Sequence, residues 1–341
     1  MIKNRLAIVV LNWNCATDSM RCIDSLLAQS STAPDIVLVD NNSHDNSVKL
    51  LSDYIDSHPK AHFHFIKSRS NGGYSGGNNL GISYAISQGY PWIGTLNPDA
   101  TADPDWTMTL ASELAKYPDT GIATGLMLRA DGKTIDTAGE VFSTWGIPGP
   151  RMRDNSSIKA PRSAEYIFGS TGGGFVARAE MLRDIGLFDE KYFMYFEDVD
   201  LCFRAQLAGY KVRYTPKAVA YHKISASTNK VPGLATKQTF KNLPMLLTKN
   251  VPLRLCAHIY PRFVLSYFLI LGHAIVGGRG MPAIKGFLLS WVLIPHMFKE
   301  RWRIQKSRRA SDDYIDSIIL HDIPPEQTGL RKFRSIFTGK R

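Results

Sequence analysis

The run Leu6-Ala-Ile-Val-Val-Leu11 is apolar and largely β-branched, with no helical spacing, and it predicts a strand buried on both faces. From Thr17 to Gln29 the apolar positions are Met20, Ile23, Leu26 and Leu27, the spacing of one helix face. Ile36-Val-Leu-Val39 reads as a second strand, Ser47 to Ser57 as a helix, and His62-Phe-His-Phe-Ile66 as a third strand. A Gly-rich stretch, Asn71–Asn79, then opens a helix running to about Gln88, and Trp92-Ile-Gly-Thr-Leu96 is a fourth strand. Strands alternating with helices at this rhythm predict an α/β fold with a mostly parallel, doubly wound sheet. Such sheets bind ligands at the carboxyl ends of their strands. The polar clusters Asn12–Asn14, Asp40–Asn42, Asn71–Asn79 and Asn97–Asp99 fall at those points.

Beyond the fourth strand the pattern loosens. Asp131 to about Arg162 is rich in Gly and Pro with short apolar pieces, suggesting hairpins or a surface insertion. Regular patterning resumes at Tyr166. From about Thr236 apolar stretches are punctuated by Arg and Lys, so a boundary is expected near residues 230–240, around Val231-Pro-Gly233. The expected organisation is a domain over 1–235, an amphipathic helical region over 236–310, and a loosely packed tail over 311–341, with no internal repeat.

Charge sharpens this division. The chain of 341 residues carries 41 Lys and Arg against 30 Asp and Glu, a formal net charge of +11. From Lys249 onward there are 16 basic and 6 acidic residues, leaving a near balance of 25 and 24 before it. The basic region also holds Phe263–Gly278, 16 residues without formal charge, and 13 more between Lys285 and Lys299. Both are shorter than the ~20 apolar residues of a spanning helix. They read either as core helices or, joined to Lys299-Glu-Arg-Trp-Arg-Ile-Gln-Lys-Ser-Arg-Arg309, as helices lying in a membrane interface against anionic lipid. No nucleic-acid motif accompanies the basic segment, so nucleic acid is not an expected partner. The cysteines, Cys15, Cys22, Cys202 and Cys256, are too sparse for a disulfide scaffold. Six apolar residues at the N-terminus make a shorter core than a signal peptide has. A cytoplasmic protein attached peripherally to the inner face of the membrane is the expected setting.

Asn97-Pro-Asp99 places a carboxylate at a strand's exit, where it can either hold a hard divalent cation against a ligand diphosphate or form an Asx-Pro turn. Asp40-Asn-Asn-Ser43 has the same two readings. Asn71-Gly-Gly-Tyr-Ser-Gly-Gly-Asn-Asn79 suits close approach of a sugar or phosphate, but it is neither a P-loop nor a dinucleotide fingerprint. Glu197-Asp-Val-Asp200 lies among aromatic residues, whose apolar walls raise a carboxylate's pKa and improve a general base. The same acids could instead cap a helix over Val199–Ala208.

The order of these segments is more specific than any one of them. Val9-Val-Leu-Asn-Trp-Asn14, Val39-Asp-Asn-Asn-Ser-His-Asp45, Asn71–Asn78, Leu96-Asn-Pro-Asp99, Gly172-Gly-Gly174, and Gly186-Leu-Phe-Asp189 through Glu197-Asp-Val-Asp200 run in sequence over roughly residues 6–225. The chain resembles the inverting nucleotide-sugar glycosyltransferases of family 2, which have the GT-A fold, and most of all their rhamnosyltransferase-like branch. The resemblance implies that Asp40 accepts a hydrogen bond from a pyrimidine base and that Asn12 lies on the first nucleotide-binding loop. It implies that Asn71, Gly72 and Asn78 hold nucleotide and donor sugar, with Asn97 standing where many members have the first Asp of a D-x-D motif. Asp99 then matches the metal-binding Asp, His222 a histidine that reaches diphosphate or metal, and Asp198 the catalytic base, with Glu197 beside it.

The implied activity is inverting transfer of a sugar, best matched by L-rhamnose from dTDP-rhamnose, to a growing surface glycan or a polyprenyl-diphosphate-linked acceptor. Mg²⁺ or Mn²⁺ is the implied cofactor. The alternatives are another donor such as UDP-GlcNAc or UDP-galactose, a nucleotide-sugar-binding protein without turnover, or a nucleotidyltransferase. The last is disfavoured because Asn12-Trp-Asn-Cys15 lacks a Gly-rich basic loop after the first strand.

Overall fold

A computed structural model describes residues 5–223 and 231–323, together with Leu330 and Arg334. The four expected strands form: β1 (Leu6–Asn12), β2 (Asp35–Asp40), β3 (Phe63–Lys67) and β4 (Trp92–Leu96) pair in parallel, in the spatial order β3-β2-β1-β4. Helices α1 (Ala16–Leu27), α2 (Ser47–Asp56) and α3 (Gly73–Ser87) make the crossovers. Every residue of β1 and β2 is buried, as a central strand covered on both faces requires.

The sheet continues past β4 through β5 (Ala100–Ala102), α4 (Trp106–Lys116), β6 (Thr120–Arg129) and β7 (Ile135–Thr137). A two-stranded ribbon follows, β8 (Glu140–Phe142) against β9 (Pro148–Pro150). Then come β10 (Glu165–Ile167), β11 (Gly174–Arg178), α5 (Ala179–Ile185), α6 (Glu197–Leu207) and the long β12 (Lys211–His222). The full order is β10-β12-β6-β11-β4-β1-β2-β3, with β5 on β12 and β7 on β6.

The sheet is mixed, with β3-β2-β1-β4 and the β6–β12 pair parallel and β5, β7, β10 and β11 reversed, and β11 is the reversal that matters. It lies antiparallel between β4 and β6, pairing Gly174 with Leu96 and Phe175 with Thr124. Its N-terminal end therefore meets the carboxyl ends of its neighbours, which brings Gly172–Gly174 to the ligand-binding edge. There the Asn97 N–H donates to the Gly173 carbonyl at 2.9 Å.

Two expectations are corrected. Asn71–Asn79 does not precede the helix as a loop held open for a ligand, because α3 begins at Gly73 and most of the stretch is helical. Its glycines serve packing: a Cβ on Gly77 would come within 2.4 Å of Leu11, and one on Gly81 within 2.5 Å of Val9. Gly73 has φ +68°, and a Cβ there would strike the Phe193 carbonyl oxygen at 2.2 Å. The 131–162 region does form hairpins, but it is no surface insertion, since Phe142 and Ile147 are fully buried.

The C-terminal part is helical: α7 (Leu234–Asn250), α8 (Leu253–Ala274), α9 (Gly280–Val292), α10 (Ile294–Lys306) and α11 (Asp312–Ile318). It has no core of its own. Phe240, Leu243, Leu246, Leu255, Ile304 and Ile315 share one apolar cluster with Phe142, Phe168, Tyr192, Val199 and Phe203. The tail expected to be loosely packed is corrected over 311–323, where Ile315, Ile319 and Ile323 are buried; Pro324-Pro325 lie outside the described residues. Residues 253–292 are long and apolar enough to cross a membrane by length and composition. The helix breaks, however, at Gly277 and Gly278 (φ 74°, ψ 7° at Gly278). Phe287 of α9 packs its ring on Tyr267 and Phe268 of α8, so the two helices fold back on each other about that bend.

Candidate active site

A cavity of about 1060 Å³ opens at the carboxyl ends of β1, β2 and β4. Part of its lining comes from the sheet and α3: Trp13, Asn41, Asn71, Tyr74, Asn78, Asn97 and Asp99. Another part comes from the segment before α6 and from α7, α9 and α10.

Asp198 and Glu197 line this cavity at the start of α6. The chain reaches them through Phe193, Tyr195 and Phe196, all with φ between 64° and 71°. Non-glycine residues enter this region at a cost, so surrounding contacts must hold it. The Asn242 side-chain amide supplies them, donating to the carbonyls of Tyr192 (3.1 Å), Met194 (2.8 Å) and Tyr195 (2.8 Å). Lys241 adds bonds to the carbonyls of Lys191 (2.7 Å) and Tyr192 (3.1 Å). Helix α7 thus fixes the strained approach to the two acids.

The acids differ in their surroundings. Asp198 accepts the Gly172 N–H at 2.7 Å on one oxygen and the Val199 N–H at 2.8 Å on the other. Burial raises its pKa, and these two backbone bonds oppose the rise. Glu197 Oε2 is buried with no hydrogen-bond partner among the described residues. Burial, reinforced by the neighbouring Asp198 charge, pushes Glu197 well above the carboxylate range. Environments that push two acids apart assign their roles. Both acids are pushed up by burial, Glu197 further than Asp198, and only Asp198 has backbone N–H groups that favour its ionised form. Tyr74 supports the arrangement by donating its hydroxyl to the Gly172 carbonyl. Burial raises the Tyr74 pKa, keeping it a donor.

The other cluster is built by strand pairing. His222, the last residue of β12, pairs with Ala100, so its ring reaches Asp99. Nε2 lies 3.1 Å from the Asp99 carboxylate and 3.4 Å from Asn97 Nδ2, while Nδ1 lies 2.8 Å from Asp136. Burial disfavours a charged imidazole, but the bonds to Asp136 and Asp99 outweigh it and raise His222 to about 9. Asp136 is buried, yet the His222 bond and the Arg153 guanidinium hold its pKa low. Among the described residues no three His, Cys, Asp or Glu side chains form a ready cation cage. Asp99 offers a carboxylate to a cation that completes its shell with phosphate and water, and His222 could join it only by giving up its Nε2 proton, since a ligating imidazole is neutral. Asp136 on Nδ1 fixes the orientation of the His222 ring.

The structure brings Asn71, Asn78, Asn97, Asp99, Glu197, Asp198 and His222 onto one cavity. Asn12, Asp40 and Gly72 do not line it. Asn12 and Asp40 are buried and face each other, Nδ2 to Oδ2 at 2.8 Å. Asp40 also accepts from the Ser43 hydroxyl (2.6 Å) and N–H (3.0 Å). Their place is to shape the loops that present Trp13 and Asn41. Gly72 donates its N–H to Asn41 Oδ1 at 3.0 Å, and Asn41 Nδ2 donates to Asn71 (3.1 Å) and the Gly73 carbonyl (2.9 Å). Asn41, Tyr74, Asp136, Gln238, Lys241 and Asn242 were not among the expected site residues. Asn41 could have been found from its place at a strand end; the α7 residues have no such signal.

A twisted, mixed sheet with a reversed inner strand, and a cavity at the carboxyl edge of its parallel strands holding paired acids, define a GT-A-type glycosyltransferase. Residues 7–186, more than half the chain, match Glycosyl transferase family 2, and the chain belongs to that family. It is 25% identical over 246 residues to an N-acetylglucosaminyl-diphospho-decaprenol L-rhamnosyltransferase of Mycobacterium tuberculosis, covering 67% of this chain and 78% of that one. It is 25% identical over 206 residues to the low-salt glycan biosynthesis hexosyltransferase Agl10 of Haloferax volcanii, covering 59% of this chain and 61% of that one. The fold is also that of the mannosyltransferase PcManGT from Pyrobaculum calidifontis, solved with GDP-Man and Mn²⁺. That structure aligns with a TM-score of 0.55 at 14% identity over 88% of this chain and 87% of that one.

Proposed function

We propose that this enzyme transfers a sugar with inversion from a nucleotide-diphosphate donor to a lipid-linked or growing surface-glycan acceptor, with L-rhamnose from dTDP-rhamnose as the leading donor. The observation that carries the reading is Asp198, a buried carboxylate on the cavity wall oriented by two backbone N–H groups. Asp198 takes the proton from an acceptor hydroxyl as that oxygen bonds to the donor's anomeric carbon. The bond from that carbon to the diphosphate oxygen breaks with its electron pair, and the anomeric configuration inverts in a single displacement. Glu197, kept neutral by burial and by the neighbouring acid, leaves the negative charge to Asp198. Asp99 and His222 would hold a divalent cation, which when bound neutralises charge on the leaving diphosphate. Asn71 and Asn78 offer amides to the donor, while Asn12 and Asp40 hold the loops that shape its pocket. The name of the mycobacterial relative supports rhamnose; UDP-GlcNAc and UDP-galactose are the other donors to test.

We also place the enzyme in the cytoplasm, on the inner face of the membrane. Val264, Leu265, Phe268 and Leu269 of α8 and Val276 at the bend are exposed, an apolar surface suited to the interface. The basic stretch 299–309 contributes less than its charge suggests. Arg301 donates to the Thr248 and Val251 carbonyls, and Arg309 to the Ala208 carbonyl and Asp184. A panel of nucleotide sugars, assayed for hydrolysis and transfer with Mg²⁺ or Mn²⁺, tests the function. Turnover of one donor supports it, and nucleotide-sugar binding without any turnover contradicts it.

A further inference from the structure

The turn that follows β9 is built around Arg153. Met152 and Asp154, on either side of it, both have positive φ, 63° and 66°. Two left-handed non-glycine residues so close together persist only where their surroundings fix them. The Asn155 side-chain amide and backbone N–H both donate to the Met152 carbonyl, at 3.1 and 3.2 Å. The Asp154 N–H donates to the Ile135 carbonyl of β7 at 3.0 Å, and Arg129 pairs with the Asp154 carboxylate. The turn is thereby locked, and it sets Arg153 on the cavity wall that the β8–β9 ribbon forms.

A chain of short contacts joins Arg153 to the strand exit at Asp99. Arg153 Nη2 donates to Asp136 Oδ1 at 2.9 Å, and its Nε donates to the Asp136 carbonyl at 3.1 Å. The other Asp136 oxygen lies 2.8 Å from His222 Nδ1, and Nε2 of that ring lies 3.1 Å from the Asp99 carboxylate. One side of the guanidinium is thus anchored, while Nη1 has no partner among the described residues. The Arg153 side chain is 40% exposed, although that of Asp136 is only 3% exposed. Balancing Asp136 requires neither the strained turn nor an open Nη1, since His222 already reaches the same carboxylate.

We infer that Arg153 is a further catalytic residue, whose open Nη1 edge meets the leaving diphosphate of the nucleotide-sugar donor. A planar guanidinium matches phosphate oxygens in geometry and keeps its charge at every working pH. As the acceptor oxygen bonds to the anomeric carbon, the bond from that carbon to the diphosphate breaks and its electron pair passes to the diphosphate oxygen. A fixed positive charge at that oxygen stabilises the transition state more than the ground state. Asp136 holds the guanidinium in place for this. The inference rests on the glycosyltransferase reading, which supplies the diphosphate.

The test is titration calorimetry on the full-length protein with Mn²⁺, using UDP and dTDP as probes and UMP and dTMP as controls. Arg153→Ala is expected to weaken the better-bound diphosphate by at least about tenfold and the matching monophosphate by less than about threefold. Arg153→Lys, which keeps the charge without the fork, should recover part of the loss. In a His222→Ala background the Arg153→Ala loss should persist at about fivefold or more, as a direct contact requires. With the donor that wild type turns over, kcat should fall by about 10²-fold. Unchanged diphosphate affinity, equal loss of mono- and diphosphate, or a loss that vanishes in the His222→Ala background would each overturn the inference. Wild-type protein that binds neither diphosphate would instead bring down the glycosyltransferase reading, and this inference with it.

Discussion

The Lys249 ammonium lies 2.9 Å from the Asp200 carboxylate, and both side chains are buried. Lys249 also pairs with Asp189 at 2.5 Å, Asn250 donates to Asp200 at 2.8 Å, and His296 of α10 reaches Asp189 at 2.7 Å. The residues flanking Glu197 and Asp198 are therefore tied to α7 and α10. Lys249 marks the start of the basic quarter of the sequence, yet its charge is spent entirely inside the fold.

Removing one partner from this network leaves uncompensated buried charge. Lys249→Ala is expected to cost about 3–5 kcal/mol, lowering the melting temperature by roughly 10 °C. Thermal unfolding followed by circular dichroism checks this, and a change within 2–3 °C would show that the carboxylates reach water instead.

The same network sets an acid limit. Burial opposes ionisation of Asp200 and Asp189, but the Lys249 charge prevails and holds both pKa values below the usual carboxylate range. Groups with depressed folded pKa values stabilise the fold above their unfolded pKa of about 3.9 and lose that contribution as pH falls toward the folded value. The contribution of these two carboxylates should be flat near neutrality and fall steeply below about pH 4. In the Lys249→Ala protein that acid-dependent fall should be much shallower, as read from melting temperature against pH.

Deleting residues 250–341 removes Asn250 and half of the apolar cluster that includes Phe203 and Val199. The truncated chain should be insoluble or molten, recovered in inclusion bodies on expression. A soluble, cooperatively melting product would mean that the first 249 residues fold alone.

Membrane attachment is separable from folding by changing exposed side chains. Val264→Asp combined with Val276→Asp should abolish co-flotation with vesicles containing anionic lipid, while the melting temperature stays within about 2 °C of wild type. Wild-type protein that fails to float with such vesicles would remove this assignment.

Local patterning made the first half of the fold readable. β1 to β4 and their helices follow from short-range apolar periodicity, and the strand ends that carry Asn71, Asn97 and Asp99 follow from sheet logic. Three features were not readable, each for a long-range reason. The reversal of β11, which delivers Gly172 to Asp198, depends on strand pairing over some 80 residues of chain. The inward turn of Asp40 depends on Asn12, buried on the neighbouring strand. The wall formed by Gln238, Lys241 and Asn242 arises because α7 packs on α6, and its own pattern resembles any amphipathic helix. Glycine in Asn71–Asn79 suggested freedom, whereas Leu11 and Val9 make it a requirement of close packing.

Glu197 and Asp198 should separate on substitution. Glu197→Gln keeps a neutral donor in place and is expected to retain within about tenfold of wild-type kcat, since it removes a proton the acid does not exchange. A loss as large as that of the Asp198 variant would make Glu197 the base.

The most direct measurement is sugar transfer and nucleotide binding by Asp198→Asn beside wild type, using the donor that wild type turns over. The variant keeps the side-chain shape and should lose transfer by at least ~10²–10⁴-fold while its affinity for the nucleoside diphosphate changes less than threefold. Transfer near the wild-type rate, or equal loss of transfer and nucleotide binding, would contradict Asp198 as the catalytic base.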